Sequence, residues 1–179
     1  MNSRIFFAVF TILLSLATSS NAQKKMEVGG AIKFDINSGS SSAEYDFTGI
    51  NGRFYYYLTD NFRLAPNINF NFPYKESDSG IEAKANVTTY NAQVHYLFDF
   101  FDNPGLRPYA LGGLSYNHVK VEASGMGQSI TETANDMSLS LGVGIDYQIK
   151  PGKLFFEVQD FFGDYKPIVV GFGMVIAIN

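Results

Sequence analysis

The chain has 179 residues, of which 46% are hydrophobic, 16% aromatic and 17% charged, and its formal net charge is -4. Sparse charge beside 17 Phe and 11 Tyr excludes a disordered chain, which has few aromatics and high charge. The lack of cysteine excludes disulfide frameworks, thiolate zinc sites and cysteine nucleophiles, and the acidic balance leaves no basic footprint for nucleic acid.

Residues 1–22 read as an export signal. Arg4 supplies a positive start, and Ile5 to Ala17 is an apolar run interrupted only by Thr11 and Ser15. Such a run is too short to cross a hydrocarbon layer of about 30 Å at ~1.5 Å per residue. Ser20-Asn21-Ala22 places small residues at the -3 and -1 positions, so cleavage is expected before Gln23. Removing 22 of 179 residues leaves 157, and losing Arg4 takes the charge from -4 to -5. Residues 23–179 then form a single domain, with no cysteine to carry a lipid anchor. No later stretch is long and apolar enough for a membrane helix.

From residue 26 onward the apolar residues alternate, the signature of strands with two unlike faces. In 26–36, Met26, Val28, Ile32, Phe34 and Ile36 oppose Glu27, Ala31, Lys33 and Asp35. The segment 45–58 sets Ile50, Phe54, Tyr56 and Leu58 against Asn51, Arg53 and Tyr55. In 62–72, Phe62, Leu64, Pro66, Ile68, Phe70 and Phe72 oppose Arg63, Ala65, Asn67, Asn69 and Asn71. In 85–98, Tyr90, Ala92, Val94, Tyr96 and Phe98 oppose Thr89, Asn91, Gln93 and His95. The strand at 107–121 contains Gly112-Gly113, and its phase stays open. In 137–148, Met137, Leu139, Leu141, Val143, Ile145 and Tyr147 oppose Ser138, Ser140, Gly142, Gly144, Asp146 and Gln148. Leu154, Phe156 and Val158 oppose Phe155, Glu157 and Gln159 in 153–162, and the last strand shows Val170, Phe172, Met174, Ile176 and Ile178 on one face.

Short turn-rich links lie at Thr59-Asp60-Asn61, Asp102-Asn103-Pro104-Gly105 and Lys150-Pro151-Gly152. Longer polar links, read as loops, lie at 37–44, 73–84 and 122–134, with a shorter one near 163–166. The chain thus reads as all-β: eight antiparallel strands in up-and-down order. Gly, Ala, Ser and Asn dominate the polar face, which suits a narrow interior better than a water-facing sheet. The apolar face carries aromatics near its ends, with Phe62, Tyr96, Phe98 and Tyr147 toward the short turns and Phe72 and Tyr116 toward the loops. That pattern predicts a transmembrane β-barrel with lipid outside, since only a closed sheet leaves no unpaired edge in lipid.

On the signal, the strand count and alternation, and segments such as Gly52-Arg53-Phe54-Tyr55-Tyr56 and Arg107-Pro108-Tyr109-Ala110, the mature chain resembles the small eight-stranded outer-membrane barrels of the OmpA/OmpX type, the porin-family or outer-membrane β-barrel domain proteins. The resemblance covers 26–179 and implies outer-membrane location, with both termini and the short turns on the periplasmic side and the long loops outside. One departure is the ending in Ile178-Asn179 rather than Phe. The chain stops at the last strand, so no added periplasmic domain is expected.

The inward charges are Glu27, Lys33, Asp35, Arg53, Arg63, Asp146, Lys153 and Glu157, with His95 beside them. Buried charges are costly unless paired. A lumen ion-pair network that plugs the barrel is therefore expected among Lys33, Asp35, Arg53, Arg63, His95, Asp146 and Glu157, with Arg53 and Glu157 among its members. Glu27 and Lys153 lie near strand ends, where solvation is the alternative. No nucleophile, base and acid converge: Ser115 and His118 are three residues apart and point to opposite faces, and no Ser shares the face of His95. Gly142-Val143-Gly144 lacks the third glycine of a dinucleotide fingerprint and instead relieves crowding. The loop acids Glu76, Asp78, Glu82, Glu122, Glu132 and Asp136 read as solvated rather than as a cation site.

The expectation is a monomeric, non-enzymatic barrel with a largely filled polar lumen and no cofactor or metal, serving envelope structure or surface interaction. Its partners would be outer-membrane lipid and a surface ligand at loops 37–44, 73–84 and 122–134. The alternatives are a narrow porin-like channel for small solutes, a soluble periplasmic lipophile-binding barrel and a lipid-modifying enzyme.

Overall fold

The computed structural model describes residues 25–37, 48–78, 81–99, 105–125, 128–163 and 167–178. The leader 1–22 and most of the loop 37–44 lie outside the described residues. Ten strand segments follow in chain order: β1 (Met26–Asn37), β2 (Thr48–Tyr57), β3 (Phe62–Leu64), β4 (Asn67–Asn71), β5 (Tyr74–Asp78), β6 (Ile81–Leu97), β7 (Leu106–Gly125), β8 (Gln128–Gln148), β9 (Gly152–Phe162) and β10 (Pro167–Ile178).

These ten segments make eight walls. β3 and β4 both lie between β2 and β6, so with β5 they form one interrupted strand. The interruption falls at Ala65-Pro66, where proline has no N–H to give. The ladder survives it: Phe54 N–H donates to the Pro66 carbonyl at 3.0 Å and Ala65 N–H to the Gln93 carbonyl at 2.8 Å. Every pairing is antiparallel, and β1 pairs with β2 on one side and β10 on the other, which closes the ring. Met26 faces Ile178, so both ends of the sheet lie at one end of the barrel, with the tight turns. There Thr59 Oγ1 accepts from the N–H groups of Asn61 and Phe62, and Ile149 N–H reaches the Gly152 carbonyl at 2.8 Å.

The faces divide as the alternation requires. Val28, Ile32, Phe34, Ile50, Ile68, Phe70, Leu139, Leu141, Val143, Phe172 and Ile176 are exposed on the outside, whereas the polar residues of the same strands are buried inside. Aromatic side chains cluster toward each end of the outer face: Phe62, Tyr96 and Phe98 are in edge contact at 4.9 Å spacings at the turn end, and Tyr90 and Tyr116 lie 6.3 Å apart at the loop end.

Three readings are sharpened or corrected. The phase of 107–121 is now fixed: Tyr109, Leu111, Ser115 and Asn117 face inward, and Leu114 and Tyr116 outward. The described residues of 122–134 are strand rather than loop, because β7 and β8 stay in register out to Gly125↔Gln128. In 73–84 likewise, Tyr74–Asp78 and the residues from Ile81 on are strand, with β5 pairing β6 from Tyr74↔Ala85 to Asp78↔Ile81. Backbone ladders continue there although the outer face turns polar, so polarity alone does not end a strand. The walls are consequently uneven. β6, β7 and β8 stand tall at the loop end, while β9 leaves β8 at Leu139↔Phe162.

Candidate functional site: the polar lumen

Inward-facing polar residues from every wall except β10 meet in the lumen, where most of them are buried and hydrogen-bond one another. Glu157 on β9 is fully buried. Its carboxylate takes both arms of the Arg53 guanidinium from β2, at 2.7 and 2.9 Å, and the Lys33 ammonium from β1 at 2.6 Å. Tyr109 O–H and the Gln159 amide also donate to it, at 3.1 and 2.7 Å. Paired, fork-on-carboxylate geometry with further donors is the arrangement in which a buried charge is tolerated.

Nearer the turns, Arg63 on β3 spans the lumen to Asp146 on β8, at 2.5 Å between Nη1 and Oδ2. Its guanidinium lies 3.8 Å from the Tyr55 ring centre and 4.6 Å from that of Tyr109, close enough for cation–π attraction. Arg63 Nε–H donates to His95 Nδ1 at 3.1 Å, and the His95 ring stacks on Tyr109 at 4.8 Å. Arg53 Nη1 donates to the Tyr55 hydroxyl at 2.7 Å, so Tyr55 and Tyr109 bridge the two clusters.

Lys153 and Glu27 lie at the turn end. They pair at 2.6 Å, and Lys153 also reaches the Tyr57 hydroxyl at 2.7 Å, so the solvated alternative gives way to an ion pair. Both line, with Tyr57, Arg107 and Asp146, a cavity of about 580 Å³ that opens at the barrel mouth. Toward the loop end the charges give way to neutral amides. Asn51, Asn67, Asn69, Asn91, Gln93 and Gln159 hydrogen-bond one another at 2.5–3.0 Å. Ser115 and Ser140 join this layer.

Of the expected network, then, Lys33, Arg53 and Glu157 meet in one cluster and Arg63, His95 and Asp146 in the next. Asp35, nearer the loop end, accepts from the Asn71 amide at 3.0 Å. Tyr55, Tyr57, Tyr109, Gln93 and Gln159 are members the sequence reading did not include. Tyr109 had a signal in retrospect: Gly144 sits directly across from it, and a Cβ there would strike the Tyr109 ring. Gly171 likewise makes room for the Lys33 and Glu157 stems. Among the described residues no group of three or more His, Asp or Glu could hold a metal ion. His118 lies outside the lumen, 2.7 Å from Asn135 Oδ1.

A closed ring with lipid-type residues outside and a polar filling inside is joined by a sequence match. Residues 5–158 match the model of the outer membrane protein beta-barrel domain. The chain belongs to this family. Among solved structures, the barrel is similar to Ail of Yersinia pestis (17% identity, TM-score 0.58, covering 87% of this chain and 97% of that one). It is also similar to the N-terminal barrel domain of Pseudomonas aeruginosa OprF (17% identity, TM-score 0.60, 87% and 100% covered). A third likeness is to a major outer membrane protein of Thermus thermophilus (13% identity, TM-score 0.63, 87% and 99% covered). No curated protein sequence matches. This family member is an integral barrel of the bacterial outer membrane, and the inverted polarity of its faces is the physical reason: lipid-facing bands are apolar and interiors polar.

Proposed function

We propose that this outer-membrane barrel is non-enzymatic and monomeric, that its lumen is plugged, and that its work is structural and at the cell surface, with the loop end outward. The observation that carries the reading is Glu157. It draws Lys33 and Arg53 into the same narrow section of the lumen, while Arg63 and Asp146 block the section beneath. A channel for solutes would need that space. A soluble lipophile carrier would need an apolar interior, which the buried Asn, Gln and ionic residues oppose. Catalysis finds no support in the histidines. His95 is enclosed by Arg63, Tyr55 and Tyr109, and Ser115 is engaged with Asn91.

Ail has been solved in complex with the heparin analogue sucrose octasulfate. Such a polyanion is a poor fit for this chain. The segments 37–44, 73–84 and 122–134 hold Glu44, Glu76, Asp78, Glu82, Glu122 and Glu132 against Lys75 and Lys84.

The leader 1–22 is part of the proposal, with the mature chain beginning at Gln23. Purified protein is expected to show the intact mass of residues 23–179. In planar bilayers it is expected to give no steady current, whereas Arg53→Ala should open a measurable conductance. A wild-type barrel that conducts like a wide porin overturns the plugged-lumen reading.

A further inference from the structure

At the end with the tight turns the barrel opens into a cup. The cavity there, of about 580 Å³, has the small residues Ala177, Gly105 and Gly152 among its lining, which leave room that larger side chains would take. Its size falls within the range of small-molecule sites, about 300–1,000 Å³. The floor is closed by an ion-pair layer. The Tyr57 hydroxyl donates to Glu27 at 3.0 Å and accepts from Lys153 at 2.7 Å and from Arg63 at 3.1 Å, so its one donor and two acceptor positions are all used. Lys153 answers Glu27, and Arg63 answers Asp146. The two buried acids at this level therefore present little net charge to the cup.

Three groups on the cavity wall stand outside that layer. Arg107 lies opposite Asp146 in the β7–β8 ladder, but Arg63 already holds that carboxylate. Arg107 turns Nη2 instead to the exposed Asp99, at 2.8 Å, and to the Asp60 carbonyl, at 3.0 Å. Its Nε–H is buried and meets no acceptor among the described residues. A buried donor in that state bears its full desolvation cost, which an incoming oxygen would remove. Lys25, just before β1, and Asp60, in the turn after β2, also line the cavity. Among the described residues neither belongs to an ion pair. The wall thus offers two cationic donors and one carboxylate, the complement of a molecule with a carboxylate at one end and an ammonium at the other.

We propose that this cup is a binding site for a small zwitterion, a free amino acid or a dipeptide. The carboxylate is taken by Arg107 Nε–H and Lys25, and the ammonium by the Asp60 carboxylate. The bond from Arg107 to the Asp60 carbonyl holds the acid's turn beside the guanidinium, so donor and acceptor lie within reach of one short molecule. Hydrogen bonds assisted by charge at both ends are the strong ones. A simple anion would meet Asp60 beside its donors, and a simple cation would meet Arg107 and Lys25, so a single charge is disfavoured. The closed floor lets the ligand bind without crossing. In the orientation proposed above the cup opens to the periplasm. The proposal goes beyond the surface role and rests on the plugged-lumen reading only for that floor.

The test follows the arginine Nε–H signals by NMR in the barrel held in lipid nanodiscs. Past the leader the only arginines are Arg53, Arg63 and Arg107, and Arg107→Gln identifies the last by its loss. The probes are alanine, dialanine, N-acetyl-dialanine and dialanine amide. Alanine and dialanine are expected to shift the Arg107 signal and leave that of Arg53 in place. Dialanine should bind at least tenfold tighter than its acetylated or amidated form. Asp60→Asn should bring free dialanine down to the level of the acetylated form. Lys25→Gln, outside the strands, should weaken both free dialanine and the acetylated form several-fold in a barrel that keeps its heat-modifiable mobility. Equal binding of the three dialanine probes, binding of no probe, or a shift at Arg53 in place of Arg107 overturns the proposal. So does binding indifferent to both Asp60→Asn and Lys25→Gln. A non-conducting barrel that fails these tests loses only the zwitterion site, while a conducting one loses the plugged-lumen reading whatever it binds.

Discussion

A carboxylate without access to water needs donors, and Glu157 has them in Lys33, Arg53, Tyr109 and Gln159. Removing its charge leaves two cations facing a neutral amide. Breaking a buried pair by deleting one partner costs about 3–5 kcal/mol, because the other charge stays buried and uncompensated. Glu157→Gln is therefore expected to lower the urea midpoint in detergent micelles, followed by circular dichroism because the chain has no Trp. Adding Lys33→Met removes one orphan cation and should restore part of the loss. An unchanged midpoint in the single variant would mean that water reaches the site and the lumen is not filled there. The sequence placed Arg53 and Glu157 on the inward face but could not choose partners across the lumen. That choice depends on the stagger between walls: Arg53 on β2 meets Glu157 on β9 rather than Asp146 on β8, although both acids face in.

At the scale of the strand, the position of the membrane is written in where the outer face changes type. Leu141 lies in the rung Val94–Gly112–Leu141, midway between the two aromatic clusters, whereas Thr133 lies beyond the loop-end cluster. Arginine at the bilayer midplane of a barrel costs about 2–4 kcal/mol, and the cost falls toward zero near the interfaces. Leu141→Arg should thus lower folding stability in vesicles by that amount, and Thr133→Arg should change it by less than about 0.5 kcal/mol. Comparable losses in both would place the bilayer higher on the wall than the residue types do. Strands were legible where one face was uniformly apolar, as in β1 and β10. Their phase was illegible where apolar residues occupy both faces, as in β7, with Tyr109 and Leu111 inside and Leu114 and Tyr116 outside. They were misread as loop in 73–84 and 122–134. There the outer face goes polar above the membrane while the period of two persists in Ala83, Ala85 and Val87, and in Ile130 and Ala134.

For the molecule as a whole, stability in lipid depends on the seam where the first strand meets the last, because an open sheet would leave a row of backbone groups unpaired in hydrocarbon. Along β1 the outward apolar residues run from Met26 to Ile36. That is ten steps of about 3.4 Å, or roughly 24 Å of height at a tilt near 45°, close to the ~25 Å apolar band of such barrels. The register of the seam sets Phe34 against Val170 on the lipid face. Since the chain has no cysteine, Phe34→Cys with Val170→Cys introduces the only two thiols, and directly paired residues lie within the span a disulfide bridges. Oxidation of the folded barrel should join them in high yield and keep the boiled protein compact on a gel until a reductant is added. Phe34→Cys with Val169→Cys is the control, because a shift of one residue sends the second thiol into the lumen. Equal bridging by both pairs would show a seam that slips, and bridging by neither would show a sheet that does not close between β1 and β10.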